Sequence, residues 1–370
     1  MEEITLYKGL FDLILWGLIV YMLSPAFKLP FRLKKQARLI GSTLILMFCL
    51  YPFWGGDYYH LRDSFEFIRM GGYNQFEDVY GWIINNCGKS YTFFRFIIWG
   101  SALFILFVAY KRVGRNYDLS LFFFGSLFVV RFSYARVSLA MAIILLGMTI
   151  FYKPLFKRKY LSYLLGLAIT CSAVFFHRSA VIGVCAAILT FFLIRSSKWK
   201  IIFVSLFTPF VMFAASYLLG NLLNMSFEAY DVSLDGKIES YLTNTVAERG
   251  IAVKIQNFLQ KTPMYLSAFM CAFLSIKGKI EQFSIVERSF AYYVFIIMLI
   301  SFGLSFDYGY ETSVVATRTM CFAMPANAVF LMSIKSRRYY TKLFNLIYYM
   351  AFAASLYALL YATYMGYNRM

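Results

Sequence analysis

The chain is poor in charged residues. Of its 370 residues, 15% are Asp, Glu, Lys or Arg, whereas 61% are hydrophobic and 21% are aromatic. A soluble globular domain carries about a quarter charged residues. The shortage of charge therefore excludes an ordinary soluble domain and predicts an integral membrane protein.

Several residue patterns that carry chemistry are missing as well. The chain has two histidines and six cysteines without a C-x-x-C pair, and it has no D-x-D motif. It also lacks a Walker loop and a dinucleotide-binding glycine pattern. We therefore expect neither a resident metal site nor a cofactor. The net charge of +18 is not arranged with interleaved aromatics, so we expect no nucleic acid partner.

What the chain has in abundance is long apolar segments. A membrane-spanning helix needs about 20 mostly apolar residues, and the bilayer admits only helices or closed barrels. Uninterrupted runs such as Leu139 to Tyr152 exclude the alternating pattern of a barrel. We predict an all-α, polytopic fold with one transmembrane domain, residues 1–370. The twelve predicted spans are 5–23, 39–54, 93–110, 117–133, 137–152, 160–176, 179–194, 201–220, 263–276, 289–305, 314–333 and 343–363.

The basic residues predict the orientation of these spans. Alternate connections hold 22 of the 36 lysines and arginines, and by the positive-inside bias they are cytoplasmic. Two long external loops then follow, at about 55–92 and 221–262. The apolar spacing in the second loop suits amphipathic helices on the outer leaflet or a packed helical hairpin.

The first external loop combines acidic and aromatic residues. Asp57, Glu77 and Tyr80 are its main candidates for chemistry. Aromatic rings stack on sugar faces and carboxylates bind sugar hydroxyls, so the loop suits a carbohydrate. The alternative is a solvated acidic loop.

Five basic side chains are expected at the external ends of spans, against the usual bias. Cations at that boundary favour an anionic ligand, and those that begin a helix add to its positive dipole. An imidazole there suits proton transfer. Binding to lipid headgroups is the alternative for Arg131, Arg136 and Arg178, and it is the favoured interpretation for Arg131 and Arg178. A local ion pair is the alternative for Arg318. The five residues are Arg131, Arg136, His177, Arg178 and Arg318.

The order of these motifs resembles the Wzy-type polysaccharide polymerases, and the EpsG-like branch most. In that branch a Gln often follows the arginine, where this chain has Val137. The motifs that carry the resemblance are Asp57-Tyr58-Tyr59, Glu77-x-x-Tyr80, Arg136-x-x-Leu139-Ala140-x-x-Ile143, His177-x-Ser179-Ala180 and Arg318.

The resemblance implies a GT-C-like, inverting, metal-independent glycosyltransferase of the bacterial cytoplasmic (inner) membrane. It would polymerise undecaprenyl-pyrophosphate-linked repeat units at the external face, for O-antigen, capsule or exopolysaccharide. A chain-length regulator and membrane lipid are further expected partners. Arg136 and Arg318 would bind the pyrophosphate, and His177 would act as general base on the acceptor hydroxyl or assist the phosphate. Asp57 and Glu77 would orient sugars, with Glu77 the alternative base.

Other functions fit the same pattern. A non-enzymatic flippase or exporter of lipid-linked oligosaccharides would also have about twelve spans and internal arginines. It would be expected to carry cations deep within several spans and to have broken helices in matched halves. An O-antigen ligase and a sugar acyltransferase stay open as well.

Overall fold

The computed structural model describes residues 35–48, 58–72, 77–86, 90–114, 116–132, 135–194, 201, 203–211, 214, 251–304, 316 and 318–367. Helices and short turns make up this part of the chain, and it contains no strand. The expected all-α fold is thereby confirmed. The span predicted at 5–23, most of 201–220 and the centre of the second long loop lie outside the described residues.

The helices follow one another with short connections. In chain order they are α1 (Lys35–Phe48), α2 (Tyr58–Arg69), α3 (Asp78–Asn86), α4 (Tyr91–Val113), α5 (Tyr117–Phe132), α6 (Ala135–Tyr152), α7 (Lys159–Phe176), α8 (Ala180–Leu193), α9 (Ile251–Ile276), α10 (Ile285–Leu304), α11 (Met324–Arg337) and α12 (Thr341–Tyr367).

Three described helices, α4, α7 and α10, are both long and apolar enough to cross a membrane. Three shorter apolar stretches accompany them, at Tyr117–Phe128, Arg136–Tyr152 and Ala180–Leu193. These helices identify a membrane protein. The number of twelve spans stays a prediction.

Helices α6, α10 and α11 form the centre of the bundle. Every residue from Met324 to Ile334 of α11 is buried, as is most of α10. A buried hydrogen bond, 3.0 Å long, joins the Tyr110 hydroxyl of α4 to the carbonyl of Pro325. Helices α7 and α8 instead expose large apolar side chains such as Leu164 and Phe192, as expected of surfaces that face lipid.

One end of the bundle, here called the basic end, is held by reciprocal hydrogen bonds. Arg112 at the end of α4 donates to the carbonyl of Lys153, 2.6 Å away. The Lys153 ammonium donates in return to the carbonyl of Arg112, at 2.7 Å. Asn116, beyond α4, contacts Ser336 of α11 at 3.2 Å. Basic side chains at helix C-termini also balance the negative end of the helix dipole.

The span predicted at 263–276 is part of a longer helix. Helix α9 runs from Ile251 through Thr262 and Pro263 to Ile276. Proline in a helix interior removes one hydrogen bond and does not always end the helix. The helix indicated by the apolar spacing from Ile251 onward is therefore joined to the predicted span, and the loop boundary at 262 stays a prediction.

The eleventh predicted span is not one continuous helix. A turn at residues 322–323 separates a short helical segment, residues 318–321, from α11, which begins at Met324. Pro325 lies in the first turn of α11, where its missing N–H costs no helical hydrogen bond. The expected single span over 314–333 is therefore broken by this proline.

Helices α6 and α7 approach each other closely at two glycines. A Cβ placed on Gly166 would lie 2.7 Å from the nitrogen of Phe151 and 2.8 Å from the oxygen of Gly147. A Cβ on Gly147 would lie 2.7 Å from the oxygen of Gly166. Because these atoms belong to the backbone, they cannot move aside without shifting a helix.

We expect Gly166→Ala to lower the stability of the folded protein by about 1–3 kcal/mol, the usual cost of overpacking. The matched control is Gly100→Ala in α4, where the added Cβ would meet only the Phe96 ring at 3.9 Å. That change should be neutral or stabilising, because alanine favours helix over glycine. Thermal unfolding in detergent measures the stability of both variants. Equal melting temperatures for the two variants would contradict the close crossing.

Candidate functional site

The carboxylate of Glu77 lies at the centre of a charged cluster. Its Oε2 is 3.2 Å from Nη1 of Arg136, and its Oε1 is 3.4 Å from Nδ1 of His177. The backbone N–H of Arg178 donates to Oε1 at 3.1 Å. The side chain of Glu77 is 8% exposed, whereas that of Arg136 is 33% exposed. Three sequence-predicted residues, Glu77, Arg136 and His177, are thus brought together.

Four helix ends meet at this cluster, which defines the site end of the bundle. Glu77 immediately precedes α3, and Arg136 is the second residue of α6. His177 ends α7 with an extended backbone, and α8 begins at Ala180. The carboxylate therefore lies near the N-termini of α6 and α8, where the helix dipoles favour negative charge.

These contacts change the acidity of Glu77. Burial by itself raises the pKa of the carboxyl. The nearby His177 side chain, the charge of Arg136 and backbone N–H groups outweigh this effect and lower the pKa from 4.5 to about 2. The net effect favours the ionised form. Glu77 is thus a fixed negative charge and a weak proton acceptor near neutral pH.

The imidazole of His177 is packed between Glu77 and an aromatic ring. The ring of Phe322 is stacked on it with centroids 6.3 Å apart and planes at 27°. The side chain of His177 is 13% exposed. Phe322 belongs to the turn before Pro325, so the break in the eleventh predicted span brings it to the histidine. Sequence reasoning missed Phe322, because no pattern marks which side chain a helix break turns inward.

Arg318 lies in the helical segment just before this turn. It is four residues ahead of Phe322, about one turn away, and its side chain is exposed. This places it on the stretch of chain that contacts His177. Its suggested partners Asp307 and Glu311 lie outside the described residues, so the local ion pair stays a prediction.

The other predicted site residues lie around the cluster or outside the description. Tyr80 is buried in α3, one turn after Glu77. Arg178 has an exposed side chain and contributes its backbone N–H. Asp57 lies outside the described residues. The backbone of Arg131 is helical, but its side chain lies outside them too.

A buried arginine in α4 was not singled out from the sequence. Arg95 is 3% exposed, and its guanidinium lies 5.0 Å from the centre of the Trp99 ring. An arginine in the first turns of an apolar span is costly and is a candidate functional residue by default. The signal was present in the sequence, since Arg95 falls inside the span predicted at 93–110.

Helices of this length and apolarity, with a charged cluster at one end, define a helical membrane protein. The chain belongs to the EpsG family, whose family model matches residues 34–368. The resemblance inferred from the motifs is confirmed by this match. No curated protein and no solved structure matches the chain.

We expect the stabilising effect of Glu77 to depend on pH in one direction. Because its pKa falls from 4.5 to about 2 on folding, the effect is complete above pH 4.5 and is lost as the pH falls toward 2. It amounts to at most about 3 kcal/mol. The difference in melting temperature between wild type and Glu77→Gln should shrink over that range. A difference that does not change between pH 6 and pH 3 would contradict the depressed pKa.

Proposed function

We propose that this protein is a membrane glycosyltransferase that joins undecaprenyl-pyrophosphate-linked oligosaccharide repeat units into a polysaccharide. The observation that carries the proposal is the cluster of Arg136, His177 and Glu77 at the ends of α3, α6, α7 and α8, in a chain of the EpsG family. The reaction takes place at the external face of the bacterial cytoplasmic membrane, within a GT-C-like fold of about twelve spans.

Arginine suits the leaving group of this reaction. When the bond to the sugar breaks, negative charge develops on the pyrophosphate, and a guanidinium binds phosphate oxygens through two parallel hydrogen bonds. Arg136 stands at the N-terminus of α6, so the helix dipole adds to its charge. Arg318 supplies a second guanidinium from the segment that carries Phe322.

His177 takes the proton of the incoming sugar hydroxyl. The hydroxyl oxygen forms a bond to the anomeric carbon of the donor as that carbon loses its bond to the pyrophosphate, which leaves with the electron pair. A single displacement inverts the configuration at that carbon. Donor and acceptor are activated by the arginines and the imidazole, without a metal ion.

The distribution of charge supports an external site. The basic end contains the last turns of α4 and α6 and the connection after α6, which is rich in lysine and arginine. The positive-inside bias assigns that end to the cytoplasm. The site end then faces outward. Asp57, from the first loop, is assigned to orienting sugars, as the family resemblance implies.

We expect Arg136→Ala to abolish long polymer, with a loss of about 10²- to 10³-fold in turnover, the usual cost of removing one transition-state donor. Arg136→Lys should restore activity only in part, because the bidentate contact is lost. Polymer length on gels, in a strain lacking the native gene, measures the effect. Full chain length in both variants would contradict the role of Arg136.

The matched control is Arg69→Ala. Arg69 also pairs with a glutamate, Glu66, at 3.3 Å, but Glu66 is 41% exposed and both residues lie within α2. Such a surface pair contributes little to stability. This variant should make polymer of normal length.

The phenotype of a gene deletion distinguishes a polymerase from a flippase. Without a polymerase, single repeat units still reach the surface lipid, whereas without a flippase they do not. Glycan analysis of the deletion strain should therefore find single units outside the cell. Their complete absence would favour the flippase or exporter.

A further inference from the structure

The two ring nitrogens of His177 have different surroundings. Both are buried and neither forms a hydrogen bond to a described residue, but Nδ1 lies 3.4 Å from Oε1 of Glu77, a carboxylate contact that Nε2 lacks within the described part of the chain. A buried nitrogen without a partner is costly and calls for a reason such as catalysis or a bound molecule.

The carboxylate of Glu77 is committed on both oxygens. Oε2 contacts Arg136, and Oε1 accepts from the backbone of Arg178 while it faces His177. To reach a sugar hydroxyl, the 8%-exposed side chain would have to give up contacts with groups that stay buried behind it. A carboxylate with a pKa of about 2 is also a poor base near neutral pH. Both facts argue against Glu77 as a sugar ligand or as the base.

The position of the imidazole is restricted from the other side as well. Phe322 is stacked on it, and Phe322 is itself 1% exposed. The backbone N–H of His177 donates to the carbonyl of Ala173, at 3.1 Å, so the residue is held at the end of α7. The ring therefore has a fixed plane, with Glu77 beside one nitrogen.

We propose that Glu77 is a positioning residue that acts through His177: it accepts the Nδ1–H of the imidazole and leaves Nε2 unprotonated, as the atom that receives the proton of the acceptor hydroxyl. The same carboxylate holds Arg136 on its other oxygen, so one side chain sets the place of both the base and the phosphate-binding guanidinium. This inference rests on the proposed function. In the reaction the proton passes from the hydroxyl to Nε2, the sugar–oxygen bond forms, and the bond to the pyrophosphate breaks.

The donors around Glu77 make Glu77→Gln an informative change. An amide has an N–H₂ group in place of one oxygen, whereas Arg136 and the backbone N–H of Arg178, which both contact the carboxylate, are donors. In either orientation the amide therefore places a donor against Arg136 or against the backbone N–H of Arg178. If it faces His177, its N–H binds Nδ1 and the proton moves to Nε2, which can then no longer act as a base.

A double-mutant cycle tests whether Glu77 acts through His177. The probe is the lipid-linked repeat unit that accumulates in membranes of the deletion strain, with purified protein in detergent. We expect His177→Gln to lower kcat by about 10²- to 10⁴-fold, the usual contribution of a general base. Glu77→Gln should lower kcat by about 10- to 100-fold with little change in KM, and the double variant should match His177→Gln alone.

Two outcomes would overturn the proposal. If the losses in the double variant multiply, Glu77 acts independently of His177. If Glu77→Gln raises KM and leaves kcat unchanged, Glu77 is a sugar ligand, as the family resemblance first implied. Glu77→Asp, which keeps the charge, should recover part of the lost kcat, and equal damage from Asp and Gln would also count against a role of the carboxylate.

The contact between Glu77 and His177 can also be tested by ¹⁵N NMR spectroscopy, which does not require turnover. The chain has two histidines, His60 and His177, so ¹⁵N-histidine labelling gives two imidazoles, and His60→Gln leaves one. At a pH where the ring is neutral, His177 should carry its proton on Nδ1 in the wild type and on Nε2 in Glu77→Gln. A wild-type ring protonated on Nε2 would overturn the proposal.

The two measurements separate the inference from the function on which it rests. Wild-type protein that does not extend the repeat unit, but shows the Nδ1–H tautomer and its shift in Glu77→Gln, would refute the polymerase and keep the Glu77–His177 contact. Wild-type protein that extends the repeat unit but lacks the Nδ1–H tautomer would support the polymerase and refute the Glu77–His177 contact. Melting temperatures of all variants identify any that fail to fold, and Glu77→Asp then provides the comparison.

Discussion

The site end of this protein depends on one buried carboxylate. Glu77 comes from a loop between spans, yet it contacts the first turn of α6, the residue that follows α7 and the backbone of Arg178, two residues before α8. A charge in such a place is tolerated only when it is paired and hydrogen-bonded. The pairing therefore fixes the loop to the bundle at the same time as it assembles the charged groups.

A second buried glutamate, at the basic end, shows what a purely structural arrangement looks like. Glu287 accepts from two nitrogens of Arg337, from the hydroxyl of Ser333 and from the backbone of Ser284. Its donors join the start of α10 to the end of α11, and none of them is a proton-transfer group. Glu77 instead lies beside an imidazole whose Nε2 has no hydrogen-bond partner among the described residues. Burial and pairing of the charge therefore serve different purposes at the two glutamates.

Much of the fold and part of the site could be predicted from the sequence. Apolar runs located most described helices, and cations at helix ends singled out Arg136 and His177, because both signals are local. That Glu77 lies between them could not be predicted, since it depends on how a loop folds back over three helices. The break at residues 322–323 and the continuation of α9 through Pro263 were missed because a proline can begin, break or merely interrupt a helix, and packing decides which.

The precision of the site derives from packing well away from it. Arg136 lies eleven residues before Gly147 on α6, and His177 lies eleven residues after Gly166 on α7. At 1.5 Å per residue, both are about 16 Å from the point where the two glycines bring the helix backbones together. A small change in the crossing angle at that point would move the two side chains apart by an amount that grows with this distance. The glycines thus fix the helix crossing on which the separation of Arg136 and His177 depends, and Glu77 contacts both residues across that separation.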